Sequence, residues 1–121
     1  MDFAVRFHPD FEPEFDALSD AVREALLQRA ILLQSQGPAL GRPNVDNLQL
    51  SRYSRMKELR FNADGGVWRV AFAFDANRDA VLLAAGNKSG VSERRFYRQL
   101  VERADRRYAE HTARLQRQGA G

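Results

Sequence analysis

The chain has no cysteine, which excludes disulfides, thiolate nucleophiles and cysteine-ligated zinc. Histidine is nearly as scarce: His8 and His111 stand far apart with no ligand-like spacing to a partner, so metal dependence is not expected. Their separation in the predicted topology also argues against a two-histidine ribonuclease site. Apolar runs are only a few residues long, whereas a bilayer span needs about 20. The N-terminus, Met1-Asp2-Phe3-Ala4-Val5-Arg6, lacks the basic start and long apolar stretch of a signal peptide, so a soluble cytoplasmic protein is expected. Repeats and low-complexity tracts are missing, as are a P-loop, a dinucleotide-binding glycine motif and a nucleophile elbow.

What remains is a chain of 121 residues, enough for one ordinary core, read as a single domain over 1–121. Its 44% hydrophobic and 29% charged residues place it with globular rather than disordered proteins. The net charge of +3 is unevenly spread. Residues 1–37 carry seven acids and three bases, 38–91 five acids and eight bases, and 92–121 four acids and eight bases. Such asymmetry fits one surface that meets a polyanion, and it fits equally a solvated basic helix beside an acidic one.

Phe3, Val5 and Phe7 alternate with Ala4 and Arg6, which predicts a short strand closed by His8-Pro9. Asp10, Glu12 and Pro13 signal a helix start, and Leu18, Val22, Ala25, Leu26, Ala30 and Leu33 follow at helical spacing until Gly37-Pro38. These segments predict a helical hairpin or one bent helix, with Ser19 as an internal cap. Residues 38–55 read as a surface connection whose length hints at function. Strands are predicted at 56–61, 67–75 and 80–85, joined by short turns into an antiparallel meander. Ser92 then caps a C-terminal helix of about six turns, marked by Phe96, Leu100, Ala104 and Tyr108, with 118–121 expected to fray. The fold class is therefore α+β: a small, mostly antiparallel sheet with helices on one face and the other face open.

Side chains alternate along a strand, so Leu59, Phe61, Trp68, Val70, Phe72 and Phe74 share the apolar face. Glu58, Arg60 and Arg69 share the other, beside the small residues Ala71 and Ala73. By the same parity Leu82, Ala84, Gly86 and Lys88 align, with Lys88 at the mouth and Gly86 leaving room for a close approach. Tyr97 starts the last helix near the same edge. Guanidinium groups suit phosphate oxygens and a pentacoordinate transition state, but they are poor proton carriers. If RNA is cut here, Glu58, Lys57 or Lys88 must assist proton transfer from the 2′-hydroxyl, and Tyr97 either protonates the leaving oxygen or stacks on a base. Glu58 fits as well a cross-strand ion-pair partner of Arg60 or Arg69, and Lys57 a snorkelling edge lysine. Arg55, Lys57, Arg94, Arg95 and Arg98 are candidate RNA contacts; the eight arginines between Arg94 and Arg117 fit also a solvated helix face.

Glu58-Leu59-Arg60, Trp68-Arg69-Val70, Val81-Leu82-Leu83 and Gly86-Asn87-Lys88 before a charged helix resemble the RelE/ParE superfamily of toxins from type II toxin-antitoxin modules. The similarity is to its HigB-like, phage-derived branch, and the element order matches as well. The resemblance implies a metal-independent, ribosome-dependent mRNA endoribonuclease that inhibits translation and leaves a 2′,3′-cyclic end. It implies no cofactor, messenger on the ribosome as substrate, and a cognate antitoxin of helix-turn-helix type as partner. By position Arg60, Arg69, Lys88 and Tyr97 match the family's catalytic residues, Tyr97 only with about three extra residues after Lys88. Met56 and Glu58 stand where RelE-type members carry lysines, which leaves the general base open. Two other readings remain: a gyrase-directed toxin of the ParE kind, and an inactive RNA- or DNA-binding module.

Overall fold

The computed structural model describes residues 2–119. In chain order the elements are β1 (Val5–Phe7), α1 (Phe11–Asp16), α2 (Asp20–Gln36), β2 (Val45–Asn47), β3 (Lys57–Ala63), β4 (Gly66–Phe74), β5 (Ala80–Asn87) and α3 (Glu93–Gly119). The N-terminal helical stretch divides into two helices because Ser19 is extended and its Oγ accepts the Val22 N–H, which starts α2 afresh. Gly37 ends α2 with φ +55°, and a Cβ there would lie 2.3 Å from the Phe3 ring, so only glycine fits. Ser92 caps α3 by accepting the Arg95 N–H. This helix runs through Gly119, so 118 and 119 of the stretch expected to fray belong to it, and 120 and 121 lie outside the described residues.

The five strands order as β1-β5-β4-β3-β2, antiparallel except for the β1–β5 pair. The meander β3-β4-β5 is as expected, but 38–55 is not merely a surface connection. Val45 to Asn47 add an edge strand to β3, and Leu40, Val45 and Leu48 are buried. Alternation holds through β3 and β4 and fails once in β5. Ala71 pairs with Ala84 while Phe72 pairs with Leu82, so Leu83 is an extra residue, a bulge that inverts parity. Leu82 therefore lies on the face opposite Gly86 and Lys88, not in line with them.

Helices cover both faces of the sheet, which corrects the expectation of an open side. On one face α1 and α2 bury Phe11, Val22, Leu26 and Leu33 against Leu59, Val70, Phe72 and Leu82. On the other, Phe96, Leu100, Val101 and Ala104 of α3 pack on Ala71, Ala73, Val81, Leu83 and Ala84. The small strand residues that suggested an open face are small because a helix lies close against them. Gly86 belongs to this contact too: a Cβ there would meet the Phe96 ring at 2.8 Å. The space it leaves is filled by α3 rather than by a ligand.

Two arginines of α3 are structural. β1 pairs only with Ala80–Leu82, so the edge of β5 beyond it has no strand to receive its carbonyls. Arg107 donates to Leu83 O (2.8 Å) and Arg103 to Ala85 O (3.2 Å). Arg107 also grips both carboxylate oxygens of Glu14 at 2.9 and 2.6 Å, joining α3 to α1 around that edge. Among the described residues no helix is long and apolar enough to cross a membrane.

The packing of α3 is directly testable. Leu100→Ala removes a side chain only 1% exposed and is expected to lower unfolding stability by about 2–5 kcal/mol. A urea midpoint unchanged within error would show that α3 does not cover the sheet as described.

Candidate functional site

A cleft of about 480 Å³ opens where the C-terminal end of β5 and the start of α3 face the β2–β3 edge. Its walls include Glu58, Arg60, Lys88, Arg94 and Tyr97, so four of the five expected catalytic residues and one expected RNA contact converge there. Arg60 also lines an adjoining cleft of about 650 Å³, and Arg69 lies in that second cleft, behind Tyr97. The other expected RNA contacts do not line either cleft. Lys57 points to the α1–α2 face and donates to Asn47 Oδ1 (3.3 Å), as its parity requires. Arg55 is exposed near Tyr108, and Arg95 and Arg98 are exposed on α3.

The centre of the site is a compact trio. Arg60 and Arg69 are direct cross-strand neighbours, a like-charge pairing that is unfavourable unless compensated. Compensation comes from both sides. Glu58 Oε1 accepts the Tyr97 O–H at 2.9 Å and lies 3.7 Å from Arg69 Nε, which itself donates to the Tyr97 oxygen at 3.3 Å. Arg69 also donates to Trp68 O (2.9 Å), so its fork is fixed by backbone as well. On the other side Arg60 donates to Asp46 Oδ2 at 3.2 Å, and Arg42 approaches the same carboxylate.

Burial is the dominant influence on the two titratable members. It raises the Glu58 pKa above the ordinary carboxylate value, and the Tyr97 hydrogen bond, Arg69 and Arg60 oppose it only in part. Burial also raises the Tyr97 pKa, so its phenol keeps the proton it donates to Glu58. Oε2 of Glu58 has no hydrogen bond among the described residues, and the side chain lines the cleft. A carboxylate with a raised pKa and one free oxygen at a cleft wall is suited to accept a proton.

Lys88 closes the far side. Its Nζ donates to Glu93 Oε1 at 3.0 Å and stands 5.8 Å from the centre of the Tyr97 ring. Asp46 and Glu93 are thus the residues that sequence reasoning missed. Their pKa values are lowered, Asp46 chiefly by the Asn47 N–H and Glu93 chiefly by the Lys88 hydrogen bond, so both stay ionised at neutral pH. Asp46 gives no signal in the sequence because its partner, fourteen residues away, becomes a neighbour only through β2 pairing. Glu93, five residues from Lys88, was visible as an acid in the first turn of a basic helix.

One group of potential metal ligands forms among the described residues: His8, Asp10 and Glu110, with ligand atoms within 4.8 Å of one another. The sequence separation of His8 from Glu110 hid it. Nδ1 of His8 already accepts the Asp10 N–H (3.0 Å), and burial lowers its pKa, so the neutral ring carries its proton on Nε2 and has no free lone pair for a cation. The group is remote from the cleft residues in the fold, at the β1–α1 junction. His111 is engaged elsewhere, 2.8 Å from Asp75 Oδ2.

The raised pKa of Glu58 has a consequence for stability. Folded Glu58 keeps its proton to a higher pH than the unfolded chain does, so stability falls as pH rises from the ordinary carboxylate value through the raised one. Glu58→Gln keeps an acceptor for Tyr97 and removes that loss. The variant is expected to be more stable than the parent at pH 7, with the difference vanishing below about pH 4. Urea midpoints across that range measure it, and no gain at pH 7 would show that Arg69 and Tyr97 fully compensate the buried charge.

The family model described as "Phage derived protein Gp49-like (DUF891)" matches residues 13–109. A Mycobacterium tuberculosis candidate toxin, HigB2, is 44% identical over 86 residues, 70% of this chain and 42% of the relative. A second candidate toxin from the same organism, HigB3, is 45% identical over 76 residues, 63% of this chain and 64% of the relative. The chain therefore spans less than two thirds of the length of either. Two solved structures share the fold at low identity. A double arginine-to-alanine mutant of Escherichia coli toxin RelE in the free state has TM-score 0.56 and 14% identity, covering 84% of this chain and 95% of that one. The archaeal RelE–RelB complex from Pyrococcus horikoshii has TM-score 0.53 and 17% identity, covering 75% and 100%. The chain belongs to the phage-derived Gp49-like family, and its fold is that of the RelE structures.

Proposed function

We propose that this chain is the toxin of a type II toxin-antitoxin pair and acts as a metal-independent endoribonuclease that cuts messenger RNA on the ribosome. The observation that carries the reading is that Arg60 and Lys88 line one cleft with the buried Glu58, whose Oε2 has no hydrogen bond among the described residues. A surface that only binds a protein target has no need of such a proton acceptor between phosphate-binding cations. Similarity to the HigB2 and HigB3 candidate toxins supports the toxin assignment. The solved RelE–RelB complex supports an antitoxin as partner, which we take to be of helix-turn-helix type.

In this mechanism Glu58 Oε2 takes the proton of the 2′-hydroxyl, and the 2′-oxygen forms a bond to the adjacent phosphorus. The P–O5′ bond breaks, and Lys88 Nζ returns a proton to the leaving 5′-oxygen. The products are a 2′,3′-cyclic phosphate and a 5′-hydroxyl. Arg60 binds the non-bridging oxygens as their charge grows. Arg69 and Tyr97 act on Glu58: they fix its Oε1 and leave Oε2 toward the substrate. For this to occur the incoming phosphate replaces Asp46 on Arg60 and Glu93 on Lys88. Both are partly exposed pairs, which are weak and readily exchanged.

The test is induced expression followed by primer extension on cellular messenger. Cuts within translated regions are expected, reduced by about 100-fold or more in Arg60→Ala and Lys88→Ala. Both side chains sit at the rim, so the fold is expected to survive their truncation. In cleavage of ribosome-bound messenger by the purified protein, measured against pH, Glu58→Gln is expected to lose most of the rate and to lack the acidic limb in what remains. Toxicity without messenger cuts would point to a gyrase-directed or purely binding activity. Undiminished cuts in both rim variants would show that the cleft is not the site.

A further inference from the structure

The loop between β2 and β3 carries an anomaly that the mechanism leaves unused. Leu50 is held at φ +75°, a left-handed conformation that disfavours a bulky residue, and its side chain is 73% exposed on the wall of the catalytic cleft. The other non-glycine residues with positive φ have local reasons. Asp64 occupies the β3–β4 turn, and Arg78 lays its guanidinium over the Phe3 ring. Leu50 also lies in a turn, at 49–50, but it is a bulky apolar residue there and is more exposed than Leu27, Ile31 or Val91.

Its neighbours hold it there. Leu48 is buried, and its N–H donates to Met56 O. After it, Ser51 Oγ donates to Asp105 Oδ1 (2.5 Å) and the Arg52 N–H to Asp105 Oδ2 (3.1 Å), fastening the loop to α3. Tyr53 packs edge-on against Tyr108 at 4.9 Å. The loop is thus anchored on both sides of Leu50, and the leucine projects from a rigid support beside Arg60, Lys88 and Tyr97. Glycine is the residue this backbone favours, so an exposed leucine costs stability that its own contacts do not return.

We infer that Leu50 is a wedge that enters between adjacent bases of the bound messenger and unstacks them at the scissile phosphate. The inference rests on the nuclease reading above. Chemistry supplies the need: in a stacked, A-form strand the 2′-hydroxyl is not in line with the P–O5′ bond, and attack requires the two nucleotides to be splayed. Apolar side chains, leucine among them, serve this purpose when inserted between bases. An aliphatic wedge has no hydrogen-bonding preference, so it splays any base pair of neighbours while Arg60 and Lys88 hold the phosphate between them.

The test uses Leu50→Gly, which suits the backbone, together with Leu50→Met, which keeps an apolar side chain. Ribosomes programmed with messenger carrying 2-aminopurine beside the cut site, and a 2′-deoxynucleotide to block cleavage, report unstacking by fluorescence. The expected results are a thermal midpoint for Leu50→Gly at or above that of the parent and a loss of the fluorescence rise. Single-turnover cleavage of ordinary messenger should fall by at least about 10-fold, with Leu50→Met close to the parent. Cleavage and fluorescence unchanged in Leu50→Gly, while Lys88→Ala abolishes cutting, would overturn the wedge and leave the nuclease standing. Undiminished cutting in Lys88→Ala would overturn the assignment of the site and the wedge with it.

Discussion

Arg60 and Arg69 face each other across β3 and β4, and the site is organised around making that juxtaposition tolerable. Left alone, two cations directly opposite on a sheet repel. Three elements distant in sequence supply the remedy: Asp46 from β2, Glu58 from β3 itself, and Tyr97 from α3. Each remedy has a chemical by-product. Asp46 leaves Arg60 at the cleft rim in a partly exposed pair that an anionic ligand can displace. Glu58 is buried deeply enough that its proton affinity rises. Tyr97 ties Arg69 and one oxygen of Glu58 together, which leaves the second oxygen free.

The covering of both faces makes this arrangement possible. Had the sheet remained open behind Arg69, water would screen the trio and return Glu58 to ordinary acidity. Instead α3 lies against a floor of alanines, and Phe96 fills the place where Gly86 has no side chain. Arg103 and Arg107 fasten the same helix to the bare edge of β5. Two of the eight arginines of α3 thereby serve structure, and the cleft draws its cations chiefly from β3, the end of β5 and the helix start.

Strand parity was readable from residues such as Trp68, Arg69 and Val70, because a two-residue period needs no long-range information. The meander and the helix caps at Ser19 and Ser92 followed from equally local signals. Misreadings arose where a distant partner decides the outcome. Ala71 and Ala73 are consistent either with an open surface or with a close helix, and only packing distinguishes the two. The bulge at Leu83 has no local signature, so Leu82 was placed on the wrong face. Val45 to Asn47 form a strand because β3 offers them an edge, in a stretch whose glycine and prolines otherwise read as loop. That Arg60, Lys88, Glu58 and Tyr97 come to one cleft follows from strand parity and family pattern. Asp46, the strained Leu50 and the second cleft behind Tyr97 required the tertiary structure.

The central claim is that this cleft directs attack of a 2′-hydroxyl on its neighbouring phosphate. The most direct measurement is cleavage of ribosome-bound messenger in which the single nucleotide 5′ to the cut is replaced by its 2′-deoxy form. The account requires that cutting at that bond stop while the unsubstituted messenger yields a 2′,3′-cyclic phosphate and a 5′-hydroxyl. Continued cutting at the substituted bond would contradict it, because water rather than the 2′-oxygen would then be the nucleophile.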